Sequence, residues 1–304
     1  MYIKRRILGD APRLLRALVG VAYLLAGSLF VPQSDAWAQR ARGVDASYWQ
    51  GNMDWNKTYE AGARFAFVRS SRGQDEVDTR FKQNMSTISS MAAAGKKIYA
   101  GAYHYGKPTA VGMLTGSSSA AEIAANARAG ANHFIVSAGD YMTPGWLRPV
   151  LDLESGGGVL SRTQLSSWAN TFMDHIQART GVEPLLYMNT NYASNYIDGS
   201  LAGRDLWIAN YNSGQRYGDP LSGDSNPPTG NIDNWAFWQY SSTGSGALYG
   251  VTGNTIDLNV ANGDINFVRS FVIPAAVPEP SGLMAVGGAG LLLLARRRSR
   301  SPTT

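Results

Sequence analysis

The sequence predicts one large α/β domain, an irregular TIM-like (β/α) barrel, and three observations lead to this prediction. Short apolar segments alternate with helical patterns, which is typical of parallel strands joined by helices. Eight strand segments lie within residues 39–274, the number that closes a barrel of this kind. Residues 211–234 are rich in glycine and proline, so we expect loops rather than full helices between the later strands.

The predicted elements follow one another along the chain with short connections. The strands are Gly43–Ser47, Phe65–Ser70, Ile98–Tyr105, Val150–Leu153, Pro184–Met188, Leu206–Ala209, Ala236–Tyr240 and Thr255–Asn259. The helices are Thr79–Ala94, Ala120–Ala138 and Thr163–Thr180. Ser161 or Arg162 can cap the last of these helices, and Gly181 ends it because glycine accepts a left-handed backbone. Gly95 ends the first helix in the same way.

Residues 1–38 have the composition of a secretory signal peptide. Basic side chains precede the apolar run Ala17–Val31, and Ala36-Trp37-Ala38 provides an A-x-A site for cleavage after Ala38. An uncleaved membrane anchor is the alternative, but the apolar run is short, since a spanning helix needs about 20 apolar residues. We therefore predict that residues 1–38 direct the rest of the chain out of the cytoplasm.

Residues 275–304 resemble a PEP-CTERM sorting signal. The pattern consists of Val277-Pro278-Glu279-Pro280, the short apolar segment Ser281–Ala295 and the basic run Arg296-Arg297-Arg298. The resemblance implies secretion across the inner membrane, transient anchoring through a short transmembrane segment, and processing by an exosortase-type enzyme. A plain tail anchor is the alternative, and both place the body of the protein in the periplasm or at the cell surface.

Charge and cysteine content exclude several classes of function. The net charge of +5 belongs to the two ends, which carry +3 each and leave −1 for residues 39–274. A basic surface for nucleic acid is therefore not expected on the body of the protein. The absence of cysteine excludes disulfides, thiolate metal sites, iron–sulfur clusters and cysteine nucleophiles.

Four carboxylates fall near the ends of predicted strands, where barrels of this kind hold their chemistry: Asp45, Asp152, Glu154 and Asp257. Several neighbouring strand ends carry tyrosine or tryptophan. Carboxylates surrounded by aromatic rings are typical of proteins that bind and cut sugars, because the C–H faces of a pyranose stack on such rings. The pattern favours a carbohydrate site.

Asp152 and Glu154 form the most informative pair. Alternate residues of a strand point to the same face, so both carboxylates should project into the mouth of the barrel. Two carboxylates this close cannot both ionise freely, and one pKa should be raised. A protonated Glu154 beside an ionised Asp152 is what general-acid cleavage of a glycosidic bond needs. A chance pair at a solvated strand end is the alternative.

The segment Gly43-Val44-Asp45-Ala46-Ser47-Tyr48-Trp49-Gln50 resembles the G-[VI]-D-x-S-x-x-Q opening of glycoside hydrolase family 25, the Chalaropsis-type lysozymes or N-acetylmuramidases. Further motifs follow in the family's order: Phe67-Val68-Arg69, Ala102-Tyr103-His104-Tyr105, Asp152-Leu153-Glu154, Leu186-Tyr187, Leu206-Trp207-Ile208-Ala209, Trp238-Gln239-Tyr240 and Gly250–Asn259. The match spans about residues 43–268. The resemblance implies a distorted β/α barrel that cleaves the β-1,4 bond from N-acetylmuramic acid to N-acetylglucosamine in peptidoglycan.

The resemblance also implies a role for each candidate residue. Glu154 matches the general acid, and Asp152 matches the carboxylate that stabilises positive charge near the anomeric carbon. Asp45 and Asp257 match two further acids, which orient the substrate and keep Glu154 protonated. The implied glycan-contacting residues are Tyr103, Tyr187, Trp207, Tyr211 and Gln239. Close carboxylates favour retention of configuration, and the pattern leaves open whether Asp152 or the substrate's acetamido group attacks.

The sequence departs from the family at one motif. Arg69-Ser70-Ser71-Arg72-Gly73 stands where family members often carry Lys-Ala-Thr-Glu-Gly, so Arg72 replaces an acidic residue. We expect this change to affect catalytic efficiency and substrate fine structure more than the reaction class.

Other functions remain as alternatives. A non-catalytic module that binds cell-wall or exopolysaccharide glycan could use the same barrel, although the presence of all four acids argues against it. The four carboxylates could also hold Mg²⁺ or Ca²⁺. No H-E-x-x-H pair or phosphate-binding glycine loop accompanies them, and we predict neither a metal nor a cofactor. His104 either contacts substrate or is a hydrogen-bonded strand-end histidine. We predict a monomer that acts on peptidoglycan glycan strands.

Overall fold

The protein is a β/α barrel, described here from a computed structural model that covers residues 39–110, 113–212 and 216–275. The predicted signal peptide and sorting signal lie outside these residues, apart from position 275. The strands are β1 (Arg42–Ala46), β2 (Ala63–Arg72), β3 (Glu76–Val77), β4 (Tyr99–Tyr105), β5 (Val150–Asp152), β6 (Leu185–Asn189), β7 (Leu206–Ala209), β8 (Trp235–Ser245) and β9 (Thr255–Ala261). The helices are α1 (Trp55–Glu60), α2 (Phe81–Ala93), α3 (Ala120–Ala138), α4 (Arg162–Thr180), α5 (Thr190–Asn195), α6 (Gly246–Tyr249) and α7 (Ile265–Ser270).

The barrel closes through eight of these strands, because β1 pairs with both β2 and β9. Neighbours from β1 to β8 run parallel, whereas β9 is antiparallel to β8 and to β1. Only residues 246–254 connect β8 to β9, which is too short for the crossover that a parallel pair requires. The two-residue strand β3 lies outside the barrel and pairs with the end of β2.

The fold class and all eight predicted strands are confirmed; β7 has the predicted bounds, and the bounds of the other strands are shifted. Helix α3 has the predicted bounds, and α4 begins at Arg162 because Ser161 caps it, accepting a hydrogen bond from the Gln164 N–H at 3.2 Å. The described part of residues 211–234 contains no helix, as expected. The six-residue helix α1 was not predicted. Within the described ranges, no helix has both the length and the apolar character needed to cross a bilayer.

Two apolar layers hold the barrel together. The layer inside it includes Phe65, Phe67, Val150, Leu185 and Phe237. The layer between strands and helices includes Leu151, Leu153, Trp168 and Phe172. Side chains of β5 therefore alternate, with Val150 inside and Leu151 and Leu153 against the helices. This alternation turns positions 152 and 154 toward the inside of the barrel.

Candidate active site

Four carboxylates meet in a cavity of about 190 Å³ at the mouth of the barrel, the face where the parallel strands end. Asp45 lies at the end of β1, and Asp152 ends β5, with Glu154 two residues farther on. Asp257 lies near the start of β9, and it reaches the mouth because this strand runs in the opposite direction. Its backbone stands opposite Asp45 in the register of the two strands. The structure therefore brings all four predicted acids together.

Backbone hydrogen bonds fix the segment that carries Asp152 and Glu154. The Leu153 N–H donates to the Tyr187 carbonyl of β6 at 2.9 Å. On the other side, the Gly106 N–H donates to the Asp152 carbonyl at 2.8 Å, and the Ser155 hydroxyl donates to the Gly106 carbonyl at 2.8 Å. The segment is thus held between the ends of β4 and β6.

Asp152 and Glu154 face the same cavity, and their carboxyl groups are close enough to interact. Burial, together with the charge of Glu154, raises the pKa of Asp152 well above its usual range, and burial also raises the pKa of Glu154. Asp152 is only 4% exposed, and its Oδ1 atom has no hydrogen-bond partner. Since two carboxyl groups this close cannot both ionise freely, the pair favours a state that holds one proton.

Asp45 and Asp257 form a second acidic pair beside the first. The side-chain amides of Gln239 and Asn259 both donate to Asp45 Oδ2 at 2.8 Å. Burial, the Asp45 charge and a hydrogen bond to Asp45 raise the pKa of Asp257 to about 8. Asp257 is therefore mostly protonated at neutral pH, which reduces the negative charge that the cavity must accommodate.

Buried polar and aromatic side chains form the floor of the cavity. The Tyr187 hydroxyl donates to Gln239 Oε1 at 2.9 Å, and the Trp207 indole N–H donates to Asn259 Oδ1 at 2.7 Å. These bonds orient both amides so that their N–H groups point at Asp45. Of the predicted glycan-contacting residues, four lie in this nearly inaccessible floor: Tyr103, Tyr187, Trp207 and Gln239. Tyr211, by contrast, lies at the rim and is 54% exposed.

Several lining residues received no role from the sequence. Trp49 lines the cavity and is 69% exposed. It belongs to the opening motif, and its position shortly after a strand end could have identified it from the sequence. Arg69 is the one cationic side chain among the described lining residues. Its Nε donates to Asp78 Oδ2 at 3.0 Å, and its guanidinium lies over the Tyr48 ring. Its NH2 nitrogen is buried without a partner.

His104 lies outside the cavity, on the helix side of β4. Its ring stacks on Phe172 with the centroids 5.2 Å apart, and its Nδ1 is 2.9 Å from the Ser71 hydroxyl. Burial lowers the pKa of His104 to about 3, so the ring is neutral. Of the two interpretations of His104, the structure supports the hydrogen-bonded strand-end histidine.

Arg72 is also outside the cavity lining. It pairs with Glu76 at 3.3 Å, and its guanidinium lies over the Tyr105 ring at 5.4 Å from the centroid. Tyr105 itself lines the cavity, so Arg72 contacts the cavity lining through this ring. The presence of Arg72 in place of an acidic residue therefore leaves the four carboxylates in place.

Comparisons with known proteins identify the family of this chain. The model of glycosyl hydrolases family 25 matches residues 44–247. Lysozyme M1 of Streptomyces globisporus is 31% identical over 233 residues, covering 73% of this chain and 68% of that protein. The N,O-diacetylmuramidase of Chalaropsis sp is 29% identical over 167 residues, covering 53% of this chain and 72% of that protein. The crystal structure of the bacterial lysozyme from Streptomyces coelicolor has a TM-score of 0.58 at 26% identity, covering 77% of this chain and 97% of that one. The chain therefore belongs to glycosyl hydrolases family 25.

Proposed function

We propose that this glycoside hydrolase is an N-acetylmuramidase, which cleaves the β-1,4 bond from N-acetylmuramic acid to N-acetylglucosamine in peptidoglycan. The observation that carries the proposal is the pair of interacting carboxyl groups, Asp152 and Glu154, in one cavity at the mouth of the barrel. The lysozyme and muramidase relatives support the same substrate. A module that only binds glycan gains nothing from gathering four carboxylates, two of them buried, because this costs folding free energy.

In the proposed reaction, Glu154 donates a proton to the leaving oxygen. Glu154 lines both this cavity and a second opening beside it, whereas Asp152 lines only the first and lies deeper. When the glycosidic oxygen reaches Glu154, the proton held by the pair passes to that oxygen, and the remaining charge on Asp152 stabilises the positive charge at the anomeric carbon. Two carboxylates this close favour retention of configuration, because inverting pairs are spaced wider to admit a water.

The remaining predicted residues bind and orient the glycan in this proposal. Asp45 and Asp257 accept or donate hydrogen bonds to the sugar whose anomeric carbon reacts, and the charge of Asp45 opposes loss of the proton from Glu154. The exposed rings of Trp49 and Tyr211 offer faces on which sugars stack. The floor residues Tyr103, Tyr187, Trp207 and Gln239 shape the bottom of the cavity and orient Asp45.

The proposal is tested with Glu154→Gln, which keeps the shape of the side chain but cannot supply the proton. We expect the release of reducing ends from purified peptidoglycan to fall by about 10²–10⁴-fold, with thermal unfolding at or above the wild-type temperature. Glu60→Gln, at an exposed glutamate on α1, is the matched control and should be fully active. Wild-type activity in Glu154→Gln would remove the assigned acid. Pull-down of peptidoglycan without soluble fragments from the wild type would indicate the binding module instead.

From the sequence we also infer that residues 1–38 are a cleaved signal peptide, that residues 39–274 form the catalytic barrel, and that residues 275–304 are a PEP-CTERM signal processed by an exosortase-type enzyme. The family's action on cell walls supports an extracellular or cell-surface location. The test is mass spectrometry of the secreted protein. We also expect the secreted protein to be a monomer. A chain that begins at Gln39 and lacks the basic tail is expected, and an intact tail in the released protein would contradict the inference.

A further inference from the structure

Arg69 is the one positive charge among the described residues that line the cavity with the four carboxylates. It lies on β2 and faces the inside of the barrel, like Phe65 and Phe67 two and four residues earlier. Only 6% of the residue is exposed. An arginine keeps its charge in a protein, and burying that charge costs folding free energy unless anions compensate it.

Asp78 holds one edge of the Arg69 guanidinium. The Arg69 Nε donates to Asp78 Oδ2 at 3.0 Å, and the Tyr48 N–H donates to the same oxygen at 3.0 Å. The Arg80 N–H donates to the other oxygen, Asp78 Oδ1, at 3.0 Å. Three donors therefore fix the Asp78 carboxylate, which in turn fixes Arg69. The NH2 nitrogen of Arg69 takes no part in these bonds.

Asp152 lies on the second strand from Arg69. In the register of the sheet, Arg69 on β2 is opposite Tyr103 on β4, and Tyr105 on β4 is opposite Asp152 on β5. Two strand spacings separate backbones by about 10 Å, and both side chains project into the same cavity. Asp152 Oδ1, like the Arg69 NH2 nitrogen, is buried without a partner. Arg69 therefore acts on Asp152 as a nearby charge and not through a hydrogen bond.

The charge of Arg69 lowers the pKa of Asp152, whereas burial, Glu154 and Asp45 all raise it. The pKa of Glu154 is shifted by burial, Asp152 and Asp45, and Arg69 is not among these causes. Arg69 is thus the group beside this pair of carboxyls that favours an ionised Asp152.

The other charged and titratable groups near Arg69 and Asp152 come from all the neighbouring elements. They are Asp45 on β1, Tyr48 after it, Glu76 on β3, Asp78, Tyr103 and Tyr105 on β4, Glu154 after β5, Tyr187 on β6 and Asp257 on β9. Burial raises the pKa values of Tyr103, Tyr105 and Tyr187, so these rings stay neutral while the carboxyl groups titrate.

We propose that Arg69 is a positioning residue for the reaction: its charge stabilises the ionised Asp152 that remains when the pair gives up its proton. The proposal rests on the proposed function, in which this anion faces the positive charge at the anomeric carbon. Four carboxylates in one cavity oppose any further negative charge, and Arg69 supplies the compensation at Asp152.

The test is the pH profile of kcat/KM, taken from initial rates of reducing-end release at low concentrations of purified peptidoglycan. The active pair holds one proton, so the acid limb reports loss of the first proton and the alkaline limb loss of the second. Arg69→Gln removes the positive charge, and both limbs should move to higher pH by about 1 unit. Arg69→Lys keeps the charge and should leave both limbs in place.

Asp78→Asn should shift the profile in the opposite direction. It removes the negative partner of Arg69 but keeps the cation, so both limbs should move to lower pH by about 0.5 unit. Opposite shifts from two residues that share one hydrogen bond cannot come from the loss of that bond. Arg64→Gln is the matched control, because Arg64 lies near the start of β2, over the Tyr59 ring, and neither limb should move.

An Arg69→Gln variant with lower activity at every pH but with both limbs in place would overturn the proposal, since a purely structural role gives that result. If Arg69→Gln does not fold, Asp78→Asn decides, and limbs that stay in place or move to higher pH in that variant would also overturn it. A wild-type protein that releases no reducing ends would instead refute the proposed function. An active wild type whose variants show no shift refutes only the role of Arg69.

Discussion

Asp257 holds a proton at neutral pH because burial and Asp45 raise its pKa to about 8. Because the pKa of Asp257 is higher in the folded protein than in the unfolded chain, its proton stabilises the fold. This stabilisation is complete below the unfolded pKa of about 3.9 and is lost as the pH rises through the folded pKa of about 8. Asp257→Asn has no such proton to lose. The difference in Tm, variant minus wild type, should therefore grow by about 5–10 °C between about pH 6 and pH 9. Circular dichroism measures it, and a constant difference would contradict the assignment.

His104 shows the opposite dependence on pH. Burial lowers the pKa of His104 to about 3, while the unfolded chain takes up a proton near 6.5. The stability of the protein should therefore decrease as the pH falls below 6.5, because protons bind preferentially to the unfolded state.

His104→Gln removes this titration. The variant should be less stable near pH 7, because the stacked ring is lost, but it should lose about 5 °C less Tm than the wild type between about pH 7 and pH 4.5. His175→Gln, near the surface, should shift the profile far less. Parallel profiles for the wild type and His104→Gln would show that the ring does not titrate as described.

The sequence predicts the placement of Asp152 and Glu154 because strand alternation is a local property. It does not predict the partners of Asp45, since Gln239 and Asn259 are about 200 positions away along the chain and reach it only after the barrel closes. Burial of the tyrosines likewise depends on the closed barrel. Residue types near strand ends therefore identify the site. The hydrogen-bond partners of Asp45 and the pKa shift of Asp257 can be described only once the fold is known.

Among the elements, the ends of β4 and β5 set the position of the acids. A Cβ atom on Gly106 would lie 2.9 Å from the Trp168 ring and 3.3 Å from the Asp152 carbonyl oxygen. Its backbone is not left-handed, so alanine is allowed there and its effect is steric. Gly106→Ala should push β4 away from β5, cost about 1–3 kcal/mol of unfolding free energy, and lower kcat more than tenfold by misplacing Glu154.

The control for Gly106→Ala is Gly203→Ala, whose Cβ atom would have nothing within 4 Å. Urea unfolding and peptidoglycan hydrolysis are measured on both variants. Gly203→Ala should match the wild type in both measurements. If Gly106→Ala kept wild-type kcat, the position of Glu154 would not depend on the contact between β4 and β5.

The long periodic helices were predictable, and the short helices were not. Helix α3 repeats its apolar positions over 19 residues and is capped by Ser119, so its bounds are encoded locally. Helix α1 has six residues, too few for a periodic pattern to be recognised. The direction of β9 follows from the short connection and from pairing with β1, and neither is visible in the pattern of β9 itself.

At the scale of the whole molecule, β9 covers the edges of both β1 and β8. Deleting residues 276–304 should leave Tm and hydrolysis unchanged, because the strands and helices described here lie within residues 39–275. Deleting residues 255–304 exposes two strand edges and removes Asp257, so the product should be unfolded or aggregated. Circular dichroism and gel filtration distinguish these outcomes, and a folded, soluble product of the longer deletion would contradict the role of β9.

The antiparallel course of β9 also decides where the chain enters and leaves. Arg42, at the start of β1, pairs with Val260, and the Ala41 N–H donates to the Gly263 carbonyl at 2.9 Å. Ile273 is bonded beside Trp146, ahead of β5, at the same end of the barrel. Both ends of the described chain therefore emerge on the side remote from the carboxylates. A molecule tethered to a surface through either terminus would turn its groove outward, toward polymer arriving from the surrounding medium.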